Sequence, residues 1–159
     1  GQIFLDAELF NEGQRPAINV GLSVSRVGGA AQTKFMKQVS SNLRTRLAQY
    51  RELADFMQFG SDIDETTKQT LESGRQLTLA LRQPRYAPIA NHLQALLIFA
   101  VSEGYAKGVE NLETFEKDLY TYFEENCSSL LDKLKEGKKM DKELKKEVLS
   151  TLDKFAKRD

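Results

Sequence analysis

The sequence predicts a mainly α-helical protein, a bundle of about five to six helices preceded by a short segment of β structure and loop. From residue 30 onwards, apolar residues recur every three or four positions, which is the period of an amphipathic helix. Residues 1–28 differ, because they combine β-branched residues with turn residues and end in a pair of glycines. The sequence therefore predicts two parts of different character, residues 1–29 and residues 30–159.

The first part contains two short apolar runs, QIFL and AINVGLSVS, which predict strands. The residues NEGQRP between them are typical of a turn. Two short strands are not stable by themselves. This segment therefore requires a sheet elsewhere in the molecule or a partner chain.

The first predicted helix is long and amphipathic and runs through residues 35–57. The sequence FGSDID ends it, because Gly60 suits a helix C-terminus. Ser61, Asp62 and Asp64 are suitable N-caps for the next helix. The same loop also presents two carboxylates, so an acidic loop that docks a basic partner is an alternative interpretation.

The second helix is predicted over residues 64–81, and Pro84 prevents its continuation. Pro88 is suited to be the first residue of a third helix. A fourth helix has an apolar face between residues 109 and 123. The C-terminal third predicts a short helix, a break at Gly137 and a last helix. The apolar face of the last helix comprises Met140, Leu144, Val148, Leu152 and Phe155.

Charge and composition exclude several classes of protein. Lys+Arg and Asp+Glu both number 23, so there is no overall attraction to nucleic acid or to anionic membranes. Cys127 is the only cysteine and cannot form an internal disulfide, which favours a reducing compartment. No apolar run approaches the ~20 residues needed to cross a bilayer, and the N-terminus lacks a signal-peptide pattern. The expectation is a cytosolic protein, or a peripheral one on a cytosolic face.

Several chemically suggestive residues are better explained by structure. The seven lysines between residues 133 and 146 alternate with acidic residues, which favours a solvated helix face over a phosphate-binding patch. His92 is the only histidine, so no metal site is predicted. Cys127 has no paired histidine to activate it as a nucleophile. The G-x-x-x-x-G-K-[ST] loop is missing, so the chain alone cannot bind a triphosphate in the manner of a P-loop.

Arg26 has two possible interpretations, one structural and one functional. An isolated loop arginine is ordinarily solvated or held in a structural ion pair. Beside a phosphoryl-transfer site, an arginine offered in trans would neutralise the charge that develops on the transferring phosphoryl group. The small neighbours Ser25 and Gly28 would allow such a loop to approach a ligand closely. The residues alone leave both interpretations open.

Three blocks of the sequence together resemble the alpha subunit of the F-type rotary ATP synthase. They are GQIFLDAELFNEGQRPAINVGLSVSRVGGAAQTKFMKQV, LAQYRELADFMQFGSDID and LRQPRYAPI. The resemblance covers essentially the whole chain and implies a C-terminal piece of that subunit. Residues 1–29 would be the end of a nucleotide-binding α/β domain, and residues 30–159 the helical C-terminal domain. The N-terminal β-barrel and the P-loop would be absent.

The resemblance also implies a function. The alpha subunit of this family is the non-catalytic, regulatory subunit of a proton-translocating ATP synthase, and it binds ATP or ADP with Mg²⁺ without turning it over. The implied partners are the beta and gamma subunits, with no nucleic acid and no direct insertion into the membrane. The implied location is peripheral, on the cytoplasmic face of the bacterial plasma membrane. The isolated piece is expected to be inactive and to hold no cofactor.

The resemblance assigns an adenine pocket to residues of this chain. Phe10, Arg15 and Pro16 match the family's pocket positions in LFNEGQRP, and Gln83 matches them in RQPRY. Arg85 stands where the family often has a second glutamine, which leaves its part in adenine contact open.

Two further residues have implied roles. Arg26 occupies the position of the family's arginine finger, which reaches the catalytic site of an adjacent beta subunit. Asp62 lies in a loop, QFGSD, that the family places beside the gamma rotor, so it is a candidate for a polar rotor contact.

Other classes of protein remain as alternatives. The pattern of residues alone favours a free-standing helical module for protein interaction. A related hexameric ATPase is a third possibility, either a non-catalytic subunit of the vacuolar or archaeal type or a beta subunit. The sequence SVSRVGGAAQTK argues against both of these relatives.

Overall fold

The computed structural model describes residues 1–57, 60 and 63–158. Within those ranges the chain forms nine helices, which confirms the mainly α-helical class. The helices are Ala7–Asn11 (α1), Arg26–Ala31 (α2), Lys34–Val39 (α3), Leu43–Met57 (α4), Glu65–Ala80 (α5), Asn91–Ser102 (α6), Leu112–Asn126 (α7), Ser128–Lys135 (α8) and Lys142–Ala156 (α9). Six of them, α4 to α9, are eight residues or longer and correspond to the six predicted helices. None of the described helices is both long enough and apolar enough to span a bilayer.

The chain divides into two compact units. The first comprises Gly1–Ala31 and Ser41–Pro88, and therefore holds α1, α2, α4 and α5. The second comprises Gln32–Ser40 and Ile89–Asp159, with α3 and α6 to α9. The boundary at residue 29 refers to the domains of a larger subunit and stays a prediction.

The two strands predicted for the first segment are not formed. In the described part of the chain, β pairing is limited to an isolated antiparallel bridge between Leu5 and Ile18. The residues enclosed by this bridge form α1 instead, where the Asp6 side chain caps the helix by accepting a hydrogen bond from the Glu8 backbone N–H at 2.9 Å. No strand of the described ranges lies beside this bridge, and an isolated pairing of two residues does not extend into a sheet.

The single long helix predicted for residues 35–57 is wrong, because α3 and α4 are separate helices. Ser40 ends α3, and its hydroxyl donates to the Met36 carbonyl at 2.8 Å, where it competes with the helix backbone. The Gln38 side chain accepts from the Met140 N–H at 2.8 Å and donates to the Met140 carbonyl at 3.2 Å. The Phe35 N–H also donates to the Gly137 carbonyl. These bonds hold α3 within the second unit, whereas α4 belongs to the first.

The start of the third predicted helix also needs correction, since α6 begins at Asn91 and not at Pro88. The Gln94 side chain donates to the Ile89 carbonyl at 2.6 Å, so this carbonyl is satisfied outside the helix. Ala90 takes the N-cap position without a side-chain hydrogen bond. The start of α5 agrees with expectation, because Asp64 caps it by accepting from the Thr67 N–H at 2.7 Å.

Helix α6 lies at the centre of the second unit. Its residues 95–101 are buried without interruption, which is typical of a helix surrounded by protein on all sides. It packs against α3, α7 and α8. The largest fully buried side chains from the other helices of this unit are Phe35, Leu119, Phe123, Leu134, Val148 and Leu152.

Helices α4 and α5 form the packed pair of the first unit, and Gly74 makes their close approach possible. A Cβ added at Gly74 would overlap the Tyr50 side chain. We expect Gly74→Ala to destabilise the protein, since overpacking costs about 1–3 kcal/mol. This cost exceeds the ~1 kcal/mol by which alanine is favoured over glycine inside a helix. Urea unfolding followed by circular dichroism measures the difference.

Gly29→Ala is the matched control for that substitution. Gly29 is also helical, in α2, and no described atom lies within 4 Å of a Cβ added there. This variant should therefore be as stable as the original chain or slightly more stable. A Gly74→Ala variant that unfolds at the same urea concentration as the Gly29→Ala variant would contradict the close packing of α4 and α5.

Candidate functional site

The turn after α1 is built by glycine. Gly13 has a φ of 85°, a backbone conformation that favours glycine. The Gly13 N–H donates to the Phe10 carbonyl at 3.0 Å, and the Gln14 N–H donates to the Leu9 carbonyl at 2.8 Å. This pair of bonds is the Schellman arrangement that ends a helix. It reverses the chain, so that the residues after Gly13 fold back beside the end of α1.

Arg15 and Phe10 form a stacked pair as a result of this turn. The Arg15 guanidinium carbon lies 4.0 Å from the centre of the Phe10 ring. Phe10 is 48% exposed, and Arg15 and Pro16 are exposed as well. The first unit thus presents two flat groups at its surface, one cationic and one aromatic, on which another planar group can stack.

Gln83 lies two residues beyond the C-cap of α5 and bonds to the backbone of Arg15. Its backbone N–H donates to the Arg15 carbonyl at 2.8 Å. Its side-chain Nε2 donates to the Ala87 carbonyl at 3.2 Å, so Oε1 is left as the acceptor of the amide group. Gln14 and Arg82, the residues directly before Arg15 and Gln83, are 68 positions apart in the sequence. The structure therefore brings Arg15 and Gln83 together across a large separation in sequence.

Arg85, the fifth pocket residue implied by the resemblance, has a different neighbour. Its guanidinium carbon lies 4.7 Å from the centre of the Tyr86 ring. Tyr86 is 86% exposed and has a φ of 60°. Arg85 and Tyr86 thus form a second exposed cation–aromatic pair, four residues beyond the C-cap of α5 at Leu81.

Arg26 is exposed at the first position of α2. The Ser25 hydroxyl accepts from the Gly28 N–H at 2.9 Å, which caps the helix and fixes the backbone on both sides of Arg26. Arg44 of α4 donates to the Ser23 carbonyl at 2.9 Å, which anchors the preceding loop. Within the described part of the chain, Arg26 forms no ion pair. Its guanidinium is thus held at the start of α2, directly after an anchored loop, and the residue is exposed to solvent.

Asp62 and Ser61 lie outside the described residues. The interpretation of Asp62 as a polar rotor contact is therefore unchanged by the structure.

His92 and the lysines of the C-terminal third, as far as the structure describes them, do not form an alternative site. Burial, together with the charge of Lys135, holds the pKa of His92 below its usual value. The described ranges contain no group of three His, Cys, Asp or Glu side chains that could hold a metal ion. Among the described residues, three of the seven lysines between residues 133 and 146 pair with carboxylates: Lys133 with Glu147 at 3.0 Å, Lys138 with Glu136 at 2.6 Å and Lys145 with Glu103 at 3.7 Å. This pairing supports the solvated helix face.

Sequence reasoning alone missed two residues of the candidate site, Gln14 and Arg82. Their side chains hydrogen-bond to each other across the site, with Arg82 Nε 3.2 Å from Gln14 Oε1. Gln14 is 8% exposed, which is unusual for a glutamine in a surface turn. In the sequence, only the position of Gln14 directly after a turn glycine hints at a structural role. This position does not identify Arg82 as the hydrogen-bond partner.

Comparison with known proteins defines the class. The family model described as ATP synthase alpha/beta chain, C terminal domain, matches residues 32–155. Because this match covers more than half of the chain, the chain belongs to that family. Its similarity to curated proteins points to the alpha type. ATP synthase subunit alpha of Aquifex aeolicus (strain VF5) is 50% identical over 157 residues, which are 98% of this chain and 31% of the relative.

A second relative gives the same result. ATP synthase subunit alpha of Clostridium kluyveri is 48% identical over 159 residues, which are 99% of this chain and 32% of that relative. The chain thus spans 31–32% of the length of these two curated relatives. The resemblance drawn from the sequence blocks is confirmed at the level of the family and the subunit type.

Proposed function

We propose that the chain forms the C-terminal part of the alpha subunit of a proton-translocating rotary ATP synthase. In that subunit it contributes one side of a regulatory nucleotide site and an arginine finger to a neighbouring catalytic site. The observation that carries the proposal is the meeting of Arg15, stacked on Phe10, with Gln83 from the end of α5. The family membership and the two alpha-subunit relatives support it.

The chemistry of this cluster suits adenine. A purine can stack on the exposed Phe10 ring or on the Arg15 guanidinium. The Gln83 Oε1 is an acceptor, because its Nε2 donates to the Ala87 carbonyl. Adenine carries an amino group that donates to such an acceptor, whereas guanine carries an oxygen at the equivalent position. Pro16 follows Arg15 at the surface and would line the same pocket.

Arg26 suits the second role, because the capped start of α2 presents its guanidinium to solvent, without an ion pair among the described residues. A guanidinium binds phosphate oxygens through two parallel hydrogen bonds. In the assembled head it would reach the nucleotide of an adjacent beta subunit and stabilise the charge of the transition state. Asp62 would contact the gamma rotor. The subunit would bind ATP or ADP with Mg²⁺ and lie at the cytoplasmic face of the bacterial plasma membrane.

Phe10→Ala tests the nucleotide site. We expect ATP to bind the full-length alpha subunit about tenfold more weakly, since stacking on an aromatic side chain contributes about 1–3 kcal/mol per base. Equilibrium binding of ATP to the purified subunit measures this change. Gln83→Leu should lower the preference for ATP over GTP, because the acceptor for the amino group is removed.

Phe56→Ala is the matched control, because Phe56 is a phenylalanine of α4 that is 62% exposed. It should bind ATP as tightly as the original subunit does. If Phe10→Ala and Phe56→Ala bound ATP equally well, the nucleotide site would not lie at this cluster.

A further inference from the structure

We propose that Arg82 is a positioning residue that holds the turn bearing Arg15 against Gln83, through a hydrogen-bond clamp on Gln14 and Glu12. The clamp rests on the proposed nucleotide site, which it would keep in its binding geometry. Arg82 follows the last turn of α5 and is itself not one of the stacked or acceptor groups.

The first half of the clamp is a buried amide. Gln14 is only 8% exposed, and a buried side-chain amide requires hydrogen-bond partners. Arg82 Nε donates to Gln14 Oε1 at 3.2 Å. A hydrogen bond from a charged donor is stronger than one between neutral groups, especially where water is partly excluded.

The second half of the clamp is a backbone carbonyl. Arg82 Nη2 donates to the Glu12 carbonyl at 3.4 Å. Gly13, which has a positive φ, lies in the sequence between Glu12 and Gln14, the two residues that accept from Arg82. The Arg82 guanidinium lies close to Gly13. Both terminal nitrogens of Arg82 would lie 3.8 Å from a Cβ added at Gly13. One guanidinium thus holds the residues on both sides of the turn glycine.

Arg15 follows Gln14, and Gln83 follows Arg82; these two residues form a further hydrogen bond between the turn and the end of α5. The Gln83 N–H donates to the Arg15 carbonyl at 2.8 Å, directly beside the bonds of Arg82 to Gln14 and Glu12. Arg15 and Gln83 therefore cannot separate while the clamp is closed. Loss of the clamp would let the turn move relative to the end of α5, and the stacked pair would move away from the acceptor of Gln83.

The test compares Arg82→Gln, Gln14→Leu and the double variant in the full-length alpha subunit. We expect each single variant to bind ATP about tenfold more weakly, because only a fraction of the molecules keeps the binding geometry. The double variant should bind no more weakly than Arg82→Gln alone, since that change already removes the bond to Gln14. The preference for ATP over GTP should fall, and the backbone amide of Gln83 should exchange its hydrogen about tenfold faster.

Arg75→Gln is the control, because Arg75 also lies on α5 and, among the described residues, forms an ion pair with Glu72 of the same helix, at 3.8 Å. It should leave binding, selectivity and exchange unchanged. The clamp is refuted if Arg82→Gln weakens ATP and GTP equally, or if the exchange of the Gln83 amide is unchanged.

Phe10→Ala, measured in the same series, separates the two proposals. If Phe10→Ala weakens ATP binding but Arg82→Gln does not, the clamp is wrong and the pocket stands. If Phe10→Ala has no effect, the pocket is wrong, and the positioning role of Arg82 fails with it.

Discussion

Lysine in place of Arg26 is expected to lower the steady-state ATP turnover of the assembled complex by at least about a hundredfold. An arginine finger contributes about 10³–10⁵ to the rate of phosphoryl transfer. Lysine keeps the charge but loses the planar fork that binds two phosphate oxygens at once. The backbone at this position is fixed by the Ser25 cap and by the Arg44 bond to Ser23, so the substitution changes the charged group alone. Hydrolysis by the purified complex measures the effect.

Arg75→Lys controls for arginine chemistry as such. Arg75 lies on α5, is half exposed and pairs with Glu72. This variant should turn over ATP at the original rate. A complex with Arg26→Lys that keeps near-normal turnover, while assembling normally, would reject the arginine-finger role.

Alanine in place of Phe123 is expected to have the largest effect on stability. The Phe123 side chain has 0% exposure and belongs to α7, which packs against α6 and α8. Deleting a buried phenylalanine ring costs about 3–5 kcal/mol, because the surrounding side chains cannot fully close the cavity. This is a large fraction of the ~5–15 kcal/mol by which small domains are stable. Urea unfolding of the chain should show the transition at a much lower denaturant concentration.

Phe56→Ala again provides the control, because it removes the same ring from an exposed position on α4. Substitutions at such positions usually change stability by less than about 0.5 kcal/mol. If the Phe123 and Phe56 variants unfolded at the same urea concentration, α7 would not pack as described.

The long helices were predictable from local sequence. Helix α5 begins after Asp64 and α9 after Asp141, and each aspartate caps its helix as a short polar residue at that place should. The break at Gly137 was also predictable, since its φ of 68° favours glycine. Periodicity and capping depend on residues within one or two turns, and this range is visible in the sequence.

The division between α3 and α4 was not predictable in this way. The residues VSSNLRT contain neither glycine nor proline, and the apolar period continues through them. The division accompanies bonds from Gln38 to Met140, which are 102 positions apart. The strands predicted from QIFL and AINVGLSVS failed for a related reason, because strand formation requires a paired neighbour that the described structure does not provide beyond one bridge.

The helical class and the family follow from the sequence alone, whereas the nucleotide and finger positions stay predictions. Those conclusions rest on local periodicity and on blocks of identical residues. The hydrogen bonds between Gln83 and Arg15 and between Arg82 and Gln14 became visible in the tertiary structure. These contacts join residues that are distant in sequence. They depend on where α5 ends and on the turn at Gly13, which reverses the chain. No local pattern encodes both.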